Sequence, residues 1–482
     1  VAHRLAASVT SITCTENAFA ALKDAGEVVT WGSAVCGGDS SAVADRLTAG
    51  VASITAVALK DTGAAVTWGP ASCGGDSSAV GDMLAAGVTS VTGTDKAFAA
   101  LKDAGEVVSW GHVVQGGDSS SVADRLRAGV LAVTGNYVGF TALQDAGEVV
   151  TWGNAECGGD SSSVADRLVA GVTSISCNGS AFAALKDAGD VVTWGFADGG
   201  AESRAVVPRL AAGVTCIKGN VGAFAALKDT GEVVTWGSAL GGGDSSAVAR
   251  RLVAGVISIT VARFSFAALK EVGEVVTWGS PHGGGDSNAV AHRLAAGVTT
   301  ITCSAFAFAA LKDTGEVVTW GRADDGGDSS AVADSLAARV TSVTAKPSAF
   351  AALKDGGMVV TWGDRCFGGD SCAVRDRLAV GVTSVTCNVC AFAALKDNGE
   401  VVTWGPATSG GDSSAVAHRL AAGVVSITGN GEAFAALKDT GEVVTWGSEL
   451  GGGDSHAVAH CLAAGVTSIT GNVSAFAALR EV

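Results

Sequence analysis

The chain has 482 residues, 48% of them hydrophobic and only 16% charged, with 31 basic against 47 acidic residues and a net charge of −16. Apolar content that high with charge that sparse excludes a disordered chain, and an acidic balance without any basic cluster leaves nucleic acid and anionic membranes as unfavourable partners. No apolar run approaches the roughly 18 residues that span a bilayer, and no signal peptide is read ahead of the first repeat. The chain opens on Val1 and starts and stops within a repeat, so it is expected to be a piece of a longer protein. Its 12 cysteines do not recur at a fixed phase, as a disulfide framework or a zinc array would. Cys387 and Cys390 form one C-x-x-C with no second pair, and free thiols are expected; the compartment stays open.

Ala18–Gly32 reads AFAALKDAGEVVTWG, and near copies follow at Ala97–Gly111 and Ala181–Gly195. Trp68, Trp110, Trp152, Trp194, Trp236, Trp278, Trp320, Trp362, Trp404 and Trp446 are each 42 residues apart, while Trp31 and Trp68 are 37 apart. The shortfall falls at Val51–Lys60, where one loop and part of a strand are missing. A period near 40 residues means a propeller or a solenoid.

A complete unit runs from Val88 to Gly129. Val88–Thr92 is short and β-branched, a first strand. After a turn, Ala97–Lys102 is a second strand, with Phe98 and Ala100 facing one way and Ala99 and Leu101 the other. Asp103–Glu106 is a hairpin turn in which Gly105 supplies a positive φ, and Glu106–Trp110 is the third strand. Beyond it, Asp118 suits a helix N-cap or an Asx turn, Val122 and Leu126 share one face of a helical turn or two, and Gly129 suits the C-cap. Strands two and three are apolar or small on both faces, so each sheet lies between two neighbours.

The order Ala100-Leu101-Lys102-Asp103-Ala104-Gly105-Glu106-Val107 followed by Trp110-Gly111 resembles the core of the regulator of chromosome condensation repeat, and the resemblance covers every unit. It implies a β-propeller, and the short three-stranded unit resembles the compact variant seen in a bacterial β-lactamase inhibitor protein. Ala-Phe stands where the family commonly has a His before A-L, G-G-D-S-S replaces G-Q-L-G, and the Trp–Arg clusters of the plant ultraviolet-B photoreceptor of this family are absent. Neither photoreception nor nucleotide exchange carries over. The expected fold is therefore all-β: a propeller-like array of about eleven 42-residue repeats across 1–482, each of three strands plus a short helical or loop connector, without an internal linker and with closed ring against open superhelix undecided.

Two slots vary between copies: the loop joining strands one and two, and the residues after W-G. Strand direction places both at one end of each sheet and the constant KDxGE turn at the other. Variable loops on a rigid scaffold are where binding commonly resides, and aromatic and Arg side chains are its usual anchors. The candidate contacts are His112, Tyr137, Phe196, Arg263, Phe264, His282, Arg322, Lys346, Arg365, Phe367, Glu432 and Glu449. The recurring Trp reads as core. The recurring Asp (Asp118, Asp160, Asp244 and their equivalents) lacks the nine-residue period of a calcium-binding roll. No G-x-S-x-G, P-loop or H-E-x-x-H occurs. The expectation is a non-enzymatic protein-binding scaffold that takes no cofactor, metal, nucleic acid or membrane, with its oligomeric state open. The alternatives are a structural or surface repeat protein without a dedicated partner and a regulatory module of a larger enzyme such as a ubiquitin ligase.

Overall fold

The computed structural model describes strands at residues 9–14, 18–23, 28–32, 51–54, 58–60 and 65–66, then residues 76–430, 432–448, 453–455, 462–464, 466–471 and 476–480. Between Val88 and Gly447, nine successive segments each form a three-stranded antiparallel sheet in sequential order. The chain divides into two compact units, one of Val57–Ser287 and one of Val1–Ala56 with Asn288–Val482. The first holds five of these sheets and the second four.

One sheet stands for all. Its strands are Val214–Gly219, Ala223–Lys228 and Val233–Gly237. Ile217 pairs with Ala226, Ala226 with Val234 and Phe224 with Trp236, after a register shift between Val214 and Cys216. Period-2 alternation sends Phe224, Ala226, Val234 and Trp236 to one face, where they meet Ala181, Ala183, Leu185 and Val191 of the preceding sheet. Ala223, Ala225 and Val233 face the other way, against Phe266, Ala268, Val276 and Trp278 of the next. Within each unit the described interfaces thus set an alanine-rich face against an aromatic one, and Phe224, Ala225 and Ala226 are all fully buried. This is the two-sided burial expected from the composition of strands two and three.

The aromatic pair is ordered. Phe224 and Trp236 stack with ring centroids 5.4 Å apart at 19°, and the Trp236 indole N–H donates to the Gly200 carbonyl of the preceding repeat at 2.9 Å. The same bond recurs from Trp152 to Gly116, Trp194 to Gly158 and Trp278 to Gly242. A buried indole N–H needs such a partner.

The connector after the third strand holds two short 3₁₀ turns, Ala239–Gly241 and Ser246–Arg251, in keeping with the short helical or loop connector expected from the sequence. Two local bonds shape it. The Asp244 carboxylate accepts the Ser246 N–H at 2.8 Å, an Asx turn, and the Thr235 hydroxyl donates to the Ser245 hydroxyl at 2.8 Å. These ties pin the segment to the sheet, leaving only enough chain to deliver Leu252 into the core at 1% exposure. At the hairpin, Gly231 has φ +74° and a Cβ there would lie 2.5 Å from the Gly255 nitrogen, so both conformation and contact require glycine.

Phe224→Ala is expected to lower the unfolding free energy of its unit by about 3–5 kcal/mol in urea denaturation; a loss below about 1 kcal/mol would show that the ring does not hold the interface. The backbone N–H bond from the second residue on holds the carboxyls of Asp118, Asp244, Asp328 and Asp412 below the usual range. A depressed carboxyl stabilises the fold fully above its unfolded pKa, and that contribution disappears as pH falls through the folded value. Stability is therefore expected to decline below about pH 4. Asp244→Asn, which keeps the acceptor, should make the decline shallower; an unchanged acid profile would exclude this carboxyl as a source.

Candidate functional site

The two variable slots of each sheet do lie at one end, and one side chain fastens them together. Asn136, at the start of the loop between strands one and two, donates from Nδ2 to the Cys157 carbonyl in the loop after W-G at 2.7 Å. Its Oδ1 accepts the N–H groups of Val138 and Gly139 at 2.9 and 2.8 Å. Asn178, Asn220 and Asn388 repeat this clip onto the carbonyls of Gly199, Gly241 and Ser409, each at 2.6 Å. Where alanine occupies the slot at Ala262, the Ser265 hydroxyl donates to the matching carbonyl of Gly283. Thr94 and Ser304 do the same with their hydroxyls. Loops of successive repeats also touch: the Asp95 N–H donates to the Tyr137 carbonyl at 3.1 Å, and the Ala305 N–H to the Pro347 carbonyl at 3.0 Å.

The candidate residues take up different stations on this end. Tyr137 is 58% exposed and lies over Gly179 of the next loop, where a Cβ would come within 2.8 Å of its ring. Phe196, His112 and His282 are exposed at the starts or tips of their 3₁₀ turns. Arg263 sits over the half-buried ring of Phe264 at 5.7 Å. Arg322 sits over the Phe306 ring at 5.8 Å and pairs with Asp325 at 3.4 Å. Arg365 pairs with Asp370 at 3.1 Å. Glu432 is exposed, and Glu449 lies outside the described residues.

One of the candidates is corrected. Lys346 is 4% exposed, because it stands in the slot of the buried asparagine and its ammonium is drawn over the Phe392 ring of the next repeat at 4.5 Å. Phe367 is half-buried and packs on the cluster around Phe392 and Trp404. Sequence reasoning also passed over the most exposed apolar side chains of this end, Leu240 at 79%, Val113 at 63% and Val114 at 56%, since aliphatic residues in a loop read as core unless the turn geometry is known.

The opposite end is closed upon itself. Arg209 donates to Glu232 at 2.8 Å and to the Val233 carbonyl at 3.0 Å, while Lys228 donates to the Arg209 carbonyl at 3.0 Å. Equivalent sets join Arg251, Glu274 and Lys270, and Arg419, Glu442 and Lys438. These charges answer one another. Among the described residues there is no group of three or more His, Cys, Asp or Glu placed to hold a metal ion, no disulfide joins the cysteines, and no helix is long and apolar enough to cross a membrane.

Asn220→Ala removes a buried donor and acceptor at once and is expected to cost about 1–3 kcal/mol, with faster amide exchange at Gly222 and Ala223. Unchanged exchange there would contradict the role of the clip.

No family model and no curated protein matches the chain. Among solved structures it is similar to human WBSCR16 (18% identity over 54% of this chain and 85% of that one, TM-score 0.29). It is also similar to yeast RCC1 (Prp20), crystallised with Kap60 bound (17% identity, 48% and 70% coverage, TM-score 0.29). A third is the ectodomain of the Physcomitrella patens receptor kinase CR4 (17% identity, 61% and 72% coverage, TM-score 0.27). The unit itself is the firmer ground: three antiparallel strands, a D-x-G hairpin and a terminal W-G whose indole is buried. By that unit, the chain is a tandem array of three-stranded antiparallel sheets that resembles the regulator of chromosome condensation repeat.

Proposed function

We propose that the chain is a non-enzymatic scaffold that binds protein through the end of its sheets bearing the two variable loops. The observation that carries this is the asymmetry between the ends. One end ties Arg, Glu and Lys side chains to one another in sets, whereas the other holds its loops by a buried clip and leaves side chains the fold does not use in solvent. Within Val57–Ser287 these are mostly apolar: Val113, Val114, Tyr137, Phe196 and Leu240. Rigid loops lose little entropy on association, and aromatic anchors supply the contact area. The net charge of −16 favours a protein over a nucleic acid as partner.

The test is a pull-down comparing the native chain with a variant in which Tyr137, Phe196 and Leu240 are changed to Ser, all three outside the core, so that thermal stability stays within about 0.5 kcal/mol per site. Partners retained by the native chain are expected to be lost from the variant. Recovery of the same proteins by both would favour a structural repeat without a dedicated partner.

A further inference from the structure

Departures from the repeat concentrate in one place. In six repeats the clip slot holds asparagine (Asn136, Asn178, Asn220, Asn388, Asn430 and Asn472); between Val340–Ala345 and Ala349–Lys354 it holds Lys346. Its Nζ is buried and has no hydrogen-bond partner, lying 4.5 Å from the centroid of Phe392 in the following repeat. It takes part in no ion pair among the described residues. The titratable groups that act on it are two thiols, Cys387 at the end of the next first strand and Cys390 in the next loop. On the turn that carries Phe367, Arg365 and Asp370 are paired with each other at 3.1 Å, and the Asp364 carboxylate accepts the Cys366 N–H at 2.7 Å.

The same repeat has lost its Arg–Glu pair. Ser335 and Met358 stand where the adjacent repeats have Arg293 with Glu316 and Arg377 with Glu400, pairs joined at 2.7 Å. Arg and Glu are missing together, while Lys354, the third member of the set, still donates to the Ser335 carbonyl. Arg339, at φ +65°, occupies a position where the neighbouring repeats have Gly297 and Gly381 at +77° and +81°, and among the described residues it is the one non-glycine with positive φ. Such strain persists only where surrounding contacts impose it.

We propose that the repeat from Val340 to Gly363 carries an opening point at its junction with the next repeat, shut while Lys346 is uncharged and loosened when it takes up a proton. An aromatic face offsets only part of the cost of burying an ammonium. Burial accordingly pushes the Lys346 amine down to about 7, against about 10.4 for an exposed lysine. Below pH 7 both the closed and the open junction hold the proton, and opening is at its maximum. As pH rises above 7 the open form alone gains by binding a proton, so opening becomes rarer. With these two values, opening at pH 6 exceeds that at pH 8 about tenfold. The loops at 346–348 and 388–390 belong to the variable end, so the junction couples proton concentration to the order of that surface.

The experiment is hydrogen exchange of the full chain by mass spectrometry at pH 6 and pH 8, corrected for intrinsic rates, on peptides covering 382–396. About a tenfold faster opening at pH 6 is expected in the native chain, and none in Lys346→Asn, which restores the residue its sister repeats carry. Equal opening at the two pH values, or the same pH dependence in Lys346→Asn, overturns the proposal. NMR of the chain labelled with 13Cε-lysine gives an independent reading: the signal absent from Lys346→Asn is expected to titrate near neutrality, and a titration at the ordinary lysine value overturns the proposal even if the variant misfolds.

Discussion

The bond that Trp152, Trp194, Trp236, Trp278, Trp362, Trp404 and Trp446 each make from the indole to a glycine carbonyl of the repeat before is the constraint on which the rest of the array depends. Trp236 reaches Gly200 across 36 residues of chain at 2.9 Å. Because its ring is stacked on Phe224 at 5.4 Å, the bond fixes the separation of two sheets as well as satisfying one donor. That separation leaves room for alanine on the facing surface and for little more: Ala181 and Ala183 are fully buried against it. The small residues of one sheet and the large ones of the next are thus a single specification written in two places. Close packing makes both halves necessary, since a void or an added methylene at such an interface is costly.

Much of this is legible in the sequence because it is local. The alternation in Ala97–Lys102, the positive φ of Gly105 and the Asx turn at Asp118 each involve residues a few positions apart, and the structure shows all three. The two ends of the sheet follow from strand direction. The clip was not legible, because Asn136 acts on a carbonyl 21 residues away and an asparagine in a loop has many local uses. The Arg–Glu sets, 23 residues apart, were hidden in the same way. Lys346 is the clearest case. On composition a lysine in a loop is solvated; only knowing that its slot is a buried one reverses the expectation.

The two ends of each sheet solve one problem differently. Where the hairpin turns crowd together, charged side chains satisfy backbone carbonyls: Arg251 reaches Val275 at 2.8 Å and Lys270 reaches Arg251 at 3.1 Å. Exposed ion pairs add little to stability on their own, so the carbonyls they cap account for more of their effect than their charges do. At the loop end a neutral amide does the capping from inside, so the loop carbonyls need no charged side chain.

That division has an evolutionary consequence. Once Asn136 has fixed both loop ends, exposed positions such as Tyr137 or Glu156 can change with almost no effect on the free energy of folding. Selection at these positions then acts on what a new side chain contacts rather than on whether the chain still folds. Because the repeats are cut to one length, a loop that acquires a useful contact in one copy can be duplicated into the next without disturbing the frame that presents it.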